Sequence, residues 1–259
     1  MSPAPETIEV DFITPRHLAG GGDPTWITVP LHRACGWSHG NDPLMPHVLL
    51  SSPDQKAILN LEPDPYGQWW TLQHAPGPGR PAWYASFGAR TPVELIAAVT
   101  DALTGPVPAA SAPSDPYEPL RKMAWTPAVG APGSVSPDGT VHAQRLGSTE
   151  EPGAWFVTAT LGRNRPVWQA RFGEHTPAHL VTAFTTALAD PRPVLRTHGS
   201  RGLPTRDPSI VTRQTTEVLA ALVDSALKER VQSLAARRAT PPAGPSSPPW
   251  PPPASGRIR

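Results

Sequence analysis

RPAWYASFGARTPVELIAAVTDAL, residues 80–103, is the stretch on which the reading of the fold turns. Its first half alternates as a β-strand does, with Trp83, Ala85 and Phe87 on one face and Ala82, Tyr84 and Ser86 on the other. Its second half carries a helix signal: Thr91 as N-cap, Pro92 at the first helical position, and Glu94 three residues after the cap. Leu95, Ala98, Val99, Ala102 and Leu103 then follow at helical spacing, and Gly105-Pro106 ends the run. Eighty-five positions on, residues 165–188 read RPVWQARFGEHTPAHLVTAFTTAL, and about half of the window is identical without a gap. Thr176-Pro177 opens the second helix, with His179 in place of the reciprocal carboxylate, and Asp190-Pro191 stops it. This is duplication, and it settles the architecture first.

The upstream parts of the copies align after a slip of one residue. Ser52-Pro53-Asp54 falls on Ser136-Pro137-Asp138, and Trp70 falls on Trp155. Val48 to Ser51 and Lys56 to Leu61 flank the first of these turns as a hairpin. Gln68 to His74 makes a third strand and Pro81 to Phe87 a fourth. The expected fold class is α+β: two tandem ββββα repeats, each an antiparallel sheet with one helix, packed as a pseudo-twofold pair. Around them the chain divides into a leading segment 1–26, repeat one at 27–106, a linker 107–117, repeat two at 118–191, a basic helical extension 192–240 and a proline-rich tail 241–259. The leading segment holds a strand, Thr7 to Ile13, and the loop Gly20-Gly21-Gly22. The extension is helix-permissive from Thr212 to Ala239, with Val218, Leu219, Leu222, Leu227, Val231 and Leu234 as an uneven stripe. The tail is expected to be disordered or extended in polyproline conformation.

Composition narrows the class. The hydrophobic fraction is 38% and there are 37 prolines, which suggests ordered units joined by extended segments. No apolar run approaches a membrane span, and Met1 to Phe12, with Glu6, Glu9 and Asp11, is not a secretory signal. The one cysteine, Cys35, cannot form an internal disulfide, so a cytoplasmic location is the expectation. A net charge of +1 hides an asymmetry: from Pro191 onward eleven basic residues oppose four acidic ones, leaving about +7, while the remainder is mildly acidic. Attraction to a polyanion is therefore expected at the C-terminal end.

At its paired Ser-Pro-Asp turns, tryptophan-rich strands and Thr-Pro-capped helices the chain resembles the SPDY domain family of actinobacteria. The resemblance covers roughly residues 15–188 and is carried best by Pro15 to Gly20, Pro30 to Trp37 and Trp83 to Leu103. Gln55 and Gly139 stand where the motif name would place tyrosine. The family is classed as a domain of unknown function that commonly occurs in two copies, so the resemblance implies no activity.

The side chains that could carry chemistry each have a plainer explanation. Cys35 lies among His32, His39 and His47, but the spacing is irregular for a metal and copy two has no equivalent cysteine. It reads as a half-buried cysteine beside surface histidines. Asp54 and Asp138 read as turn residues bonding their own backbone, not as catalytic carboxylates. Gly20 to Gly22 is followed by Asp23-Pro24, not by lysine and a helix, so it is no phosphate loop. Trp69, Trp70, Trp83, Trp155 and Trp168 lie in expected strands, and adjacent Trp69 and Trp70 must face opposite ways, one into the core. Exposed aromatics beside Arg80, Arg90, Arg163, Arg165 and Arg171 would suit base stacking with phosphate neutralisation, although a thin β-sheet core explains the tryptophans as well.

No nucleophile, base and electrophilic stabiliser stand at a plausible spacing, and no cofactor or metal motif is present. The expected function is that of a non-catalytic interaction module with a protein partner. The alternative is single-stranded nucleic-acid binding through Trp69, Trp70, Arg80, Trp155 and Arg165, or through the basic C-terminal segment. Ser52, Pro53, Asp54, Thr91, Glu94, Ser136, Pro137, Asp138 and Thr176 are expected to be turn and cap residues.

Overall fold

A computed structural model describes residues 6–40, 48–62, 68–106, 115–130, 133–147, 153–162, 165–199 and 202–239. The expected linker 107–117 lies mostly outside these residues, and the proline-rich tail and Arg163 lie wholly outside them. Strand β1 (Thr7–Thr14) and a single 3-10 turn at Arg16–Leu18 lead to helix α1 (Thr25–Cys35). Copy one continues with β2 (Ser38–Gly40), β3 (Val48–Ser51), β4 (Ala57–Leu61), β5 (Gln68–His74), β6 (Trp83–Gly88) and α2 (Val93–Thr104). Copy two runs through α3 (Glu118–Lys122), β7 (Thr126–Pro127), β8 (Ser134–Val135), β9 (Val141–Arg145), β10 (Trp155–Thr160), β11 (Pro166–Phe172) and α4 (Ala178–Ala189). Then come β12 (Val194–Thr197), β13 (Thr212–Leu219) and α5 (Ala220–Ala239).

The copies do not stack as separate sheets. They join edge to edge in one ten-stranded antiparallel sheet, ordered β2-β3-β4-β5-β6-β11-β10-β9-β8-β7. At the junction Ser86 lies opposite Arg171, its own equivalent under the 85-residue offset, and Ala85–Phe172 and Phe87–Ala170 are reciprocal pairs. A pseudo-twofold axis therefore passes between Ser86 and Arg171. Helices α2 and α4 obey the same offset at both ends and cover the junction together. At the junction Phe87 and Phe172 of the sheet and Phe184 of α4 pack ring against ring, with centroids 5.2 to 5.9 Å apart.

Each copy contributes five strands and a leading helix, not the four strands expected. The leading helices end alike: Gly36 (φ 71°) and Ala124 (φ 60°) adopt left-handed backbone, and the next amides, Trp37 and Trp125, bond back to Leu31 and Leu120 carbonyls at 3.1 and 3.2 Å. Both tryptophans are buried. The Ser-Pro-Asp turns also match. Ser52 Oγ donates to Asp54 Oδ1 and accepts from Ala57 N; Ser136 Oγ repeats this with Asp138 and Val141 N. Each turn needs a left-handed residue after the aspartate, supplied by Gln55 (φ 56°) and Gly139 (φ 69°).

Two expectations fail at the ends of elements. Thr91 does not cap α2: its Oγ1 is buried and finds no partner among the described residues, and Pro92 stands at the cap. The amide of Val93 is instead met by Gly21 O at 2.7 Å, and Glu94 turns away to Arg196. Thr176 is not a cap either, since its Oγ1 donates to Tyr84 O of copy one at 3.1 Å. The segment from Thr212 to Leu219, read as helix-permissive, is a strand. Its threonines and valine favour extended backbone, and Thr7–Thr14 offers an edge along its whole length. With β12 on the other side, β1 thus centres a three-stranded sheet, β12-β1-β13.

Candidate functional site

Alternation divides the ten-stranded sheet into a covered and an open face. Leu59, Trp70, Leu72, Trp83, Ala85, Phe87, Trp155, Val157, Trp168, Ala170 and Phe172 point toward the helices and are buried. The opposite face carries Ile58, Asn60, Thr71, Gln73, Tyr84, Ser86, Phe156, Thr158, Gln169 and Arg171, none of which is buried. Trp69, out of phase with Trp70, shares this open face and is 38% exposed, as Ile58 is at 37%.

At the centre of that face the Arg171 guanidinium lies 5.3 Å from the Tyr84 ring centroid and 5.4 Å from that of Phe156. Phe156 is directly opposite Arg171 in the ladder and Tyr84 is diagonal to it across the pseudo-twofold junction. Among the described strand residues of this face Arg171 is the one lysine or arginine, and no described carboxylate pairs with it.

The aromatic and basic residues expected to bind are thereby sorted. Trp69 is exposed, but Trp70 and Trp155 are core residues, and so is Trp168, whose Nε1 donates to His17 O at 2.7 Å. A stacking platform of all five is ruled out by the alternation that buries four of them. Arg80 and Arg165 are exposed but lie outside the sheet: Arg80 closes a small bridge with Gly77, and Arg165 precedes β11. The structure brings neither beside Trp69's neighbours in the ladder. Sequence reading missed Tyr84 and Phe156, because only the β6–β11 and β10–β11 registers together place them around Arg171.

Two arginines of the basic extension, Arg196 and Arg230, are turned inward, and others pair at the surface. Arg196, buried, uses all its N–H directions: Nε to Ala19 O, Nη2 to Gly20 O, and a forked pair to Glu94 at 2.6 and 2.9 Å. Gly22 faces this group so closely that a Cβ there would meet Val93 Cγ2 at 2.8 Å. The glycine loop is therefore a seat for α2 and Arg196. Arg230 forks onto Asp101 at 2.8 and 3.1 Å, lies 5.3 Å from the Trp26 ring, and donates Nε to Trp26 O at 2.8 Å. That carbonyl is the one Pro30 cannot meet within α1, because proline has no N–H. Arg237 adds to Asp101, Arg238 bonds Cys35 O, Arg213 pairs with Asp11, and Arg192 with Asp190.

The carboxylates follow from this packing. Burial pushes Asp11 up, but bonds from Arg213, Thr215 and His198 hold it at about 2 against an ordinary 3.8. Burial likewise opposes ionisation of Asp138, yet His17 at 3.0 Å and Ser136 hold it far below the usual range. Asp54 is lowered by its bond from Ser52. Each of these carboxylates is thus held ionised by the turn or pair that it closes. Cys35 is 2% exposed at the end of α1, which corrects the half-buried reading, and no group of three or more His, Cys, Asp or Glu among the described residues could hold a metal. A cleft of about 980 Å³ opens between the three-stranded sheet, the start of α1 and α5, but its guanidinium groups, Arg16 and Arg196, are already paired with Asp190 and Glu94. No described helix is long and apolar enough to cross a membrane.

Two edge-joined α+β repeats with a docked extension define a tandem-repeat protein. The family model SPDY, a domain of unknown function (DUF317), matches two segments of the chain, residues 51–109 and 135–194. The matched segments start 84 residues apart and end 85 apart, the same one-residue slip seen between the Ser-Pro-Asp turns and the strand–helix ends. Comparison with curated proteins and with solved structures gives no match.

Proposed function

We propose that the chain is a non-catalytic interaction module of the cytoplasm, and that the open face of its ten-stranded sheet receives a protein partner. The observation that carries this reading is Arg171 held between Tyr84 and Phe156, with Ile58 and Trp69 exposed on the same face. Tyrosine, tryptophan and arginine are the side chains most enriched at the energetic centres of protein interfaces. A guanidinium without its own carboxylate, framed by apolar rings, suits a partner that presents an acidic side chain among apolar ones.

Aromatic rings beside an arginine also suit a single strand of nucleic acid, which is the second reading. It needs several phosphate contacts, however, and the described strand residues of the face supply one arginine. The test is capture by the full chain from nuclease-treated extract of its source cells, followed by binding of the purified captured protein. Arg171→Glu and Trp69→Ala should each weaken that binding at least about tenfold, with Arg80→Ala and Arg165→Ala leaving it intact. A purified partner indifferent to Arg171 and Trp69 would overturn the assignment of this face. Capture that disappears with nuclease treatment would favour the second reading.

A further inference from the structure

We infer that the chain self-associates through β13, which pairs antiparallel with β13 of a second copy to extend the three-stranded sheet across a twofold axis at Thr215. This surface is separate from the open face of the large sheet, and the inference stands independently of the reading given to that face.

Strand β13 is an edge strand of eight residues, and among the described residues no strand pairs with its outer side. Of its eight residues only Val218 is even partly covered. An edge of this length with free N–H and C=O groups is a template for another strand. The register says which groups are free. His198 N donates to Glu9 O and Ala220 N donates to Glu6 O, so the odd residues of β1 direct their backbone toward β12 and the even ones toward β13. The even residues of β13, Gln214, Thr216 and Val218, therefore bond to β1. Arg213, Thr215, Glu217 and Leu219 direct their backbone outward.

A twofold centred on Thr215 places Thr215 opposite itself, Arg213 opposite Glu217 of the second copy, and Glu217 opposite Arg213. All three are outward-bonding positions, as an antiparallel ladder requires, so backbone pairing and side-chain charge agree on one register. An isologous contact of this kind must be complementary to itself, and this strand is. The side chains also have reason to accept it. Glu217 lies directly opposite Glu9 within its own sheet, a like-charge pair, and has no cationic partner among the described residues. Arg213 bonds Asp11 at 2.7 Å yet remains 38% exposed, leaving N–H groups for a second carboxylate. A second copy thus supplies the cation that Glu217 lacks.

Sedimentation of the full chain over a concentration series, with amide exchange read residue by residue, tests this. Wild type should dimerise reversibly. The amides of Arg213, Thr215 and Glu217 should slow as dimer forms, while those of Gln214, Thr216 and Val218 stay protected throughout. Glu217→Arg sets arginine against Arg213 of the second copy and should weaken association at least tenfold. The same change relieves the contact with Glu9, so its fold should persist, checked by protection at Gln214, Thr216 and Val218. A wild-type chain that stays monomeric at every concentration would overturn the inference. So would association that Glu217→Arg leaves unchanged, or free exchange at the outward amides within the dimer.

Discussion

The hydroxyls of Thr91 and Thr176 occupy equivalent places before equivalent helices, and their surroundings give them opposite energetics. Thr176 Oγ1 bonds the Tyr84 carbonyl across the junction, whereas Thr91 Oγ1 is buried without a described partner. Thr176→Val should therefore cost about 1 kcal/mol, and Thr91→Val should be neutral or stabilising by up to about 1 kcal/mol, since it removes an unsatisfied polar group. Urea midpoints at unchanged slope would show the difference, and a loss from Thr91→Val equal to that from Thr176→Val would contradict it. Asp11 gives a second test. Its folded pKa of about 2 lies below the ordinary 3.8, so its contribution is present above about pH 4 and is lost as pH falls toward 2. Asp11→Asn should flatten that part of the acid limb of stability; an acid limb identical to wild type would show that Asp11 is not so held. The threonine–proline pairs announced both helices to within two residues, but which hydroxyl finds a partner depends on a contact between copies. Local spacing does not encode that contact.

At the scale of elements, the strands from β3 to β6 and the helices α2 and α4 were legible because alternation and helical spacing are strong in both copies. Helix α1 was not. Pro30 and the β-branched Thr25, Ile27, Thr28 and Val29 argue against a helix locally, and the missing bond at Trp26 O is replaced from far along the chain by Arg230. The uneven apolar stripe of α5 has the same origin: much of what docks this helix is guanidinium, not leucine. Arg230→Met keeps the aliphatic stem and removes the bonds to Trp26 O and Asp101. It should cost about 2 kcal/mol, in the range of bonds to charged groups, and hasten amide exchange in α5 before the sheet. Unchanged exchange in α5 would mean that Leu234 and its neighbours suffice to hold it.

At the scale of the whole molecule, the charge asymmetry acquires a meaning that composition alone did not disclose. A basic C-terminal segment beside an acidic repeat reads as a polyanion-binding tail, yet Arg192, Arg196, Arg213, Arg230 and Arg237 each meet a carboxylate of this chain. Among the described residues, part of that positive charge is thus paired within the fold, most tightly at Arg196–Glu94 and Arg230–Asp101. The duplication showed that there are two copies but not that they share one sheet, because the reciprocal register around Ser86 and Arg171 appears only when the strands are paired. Among its described strand residues the open face that results has aromatic rings and a single arginine, the ground on which a protein partner is proposed over a phosphate backbone. The central claim, that the positive charge closes the fold and does not face a polyanion, is tested most directly by titrating a labelled single strand with the full chain while varying salt. Weak binding at low salt that vanishes near physiological ionic strength, with Trp69→Ala and Arg171→Ala indistinguishable from wild type, is the result expected. Saturable binding that survives physiological salt and is lost in those two variants would contradict the account and make the open face a nucleic-acid platform.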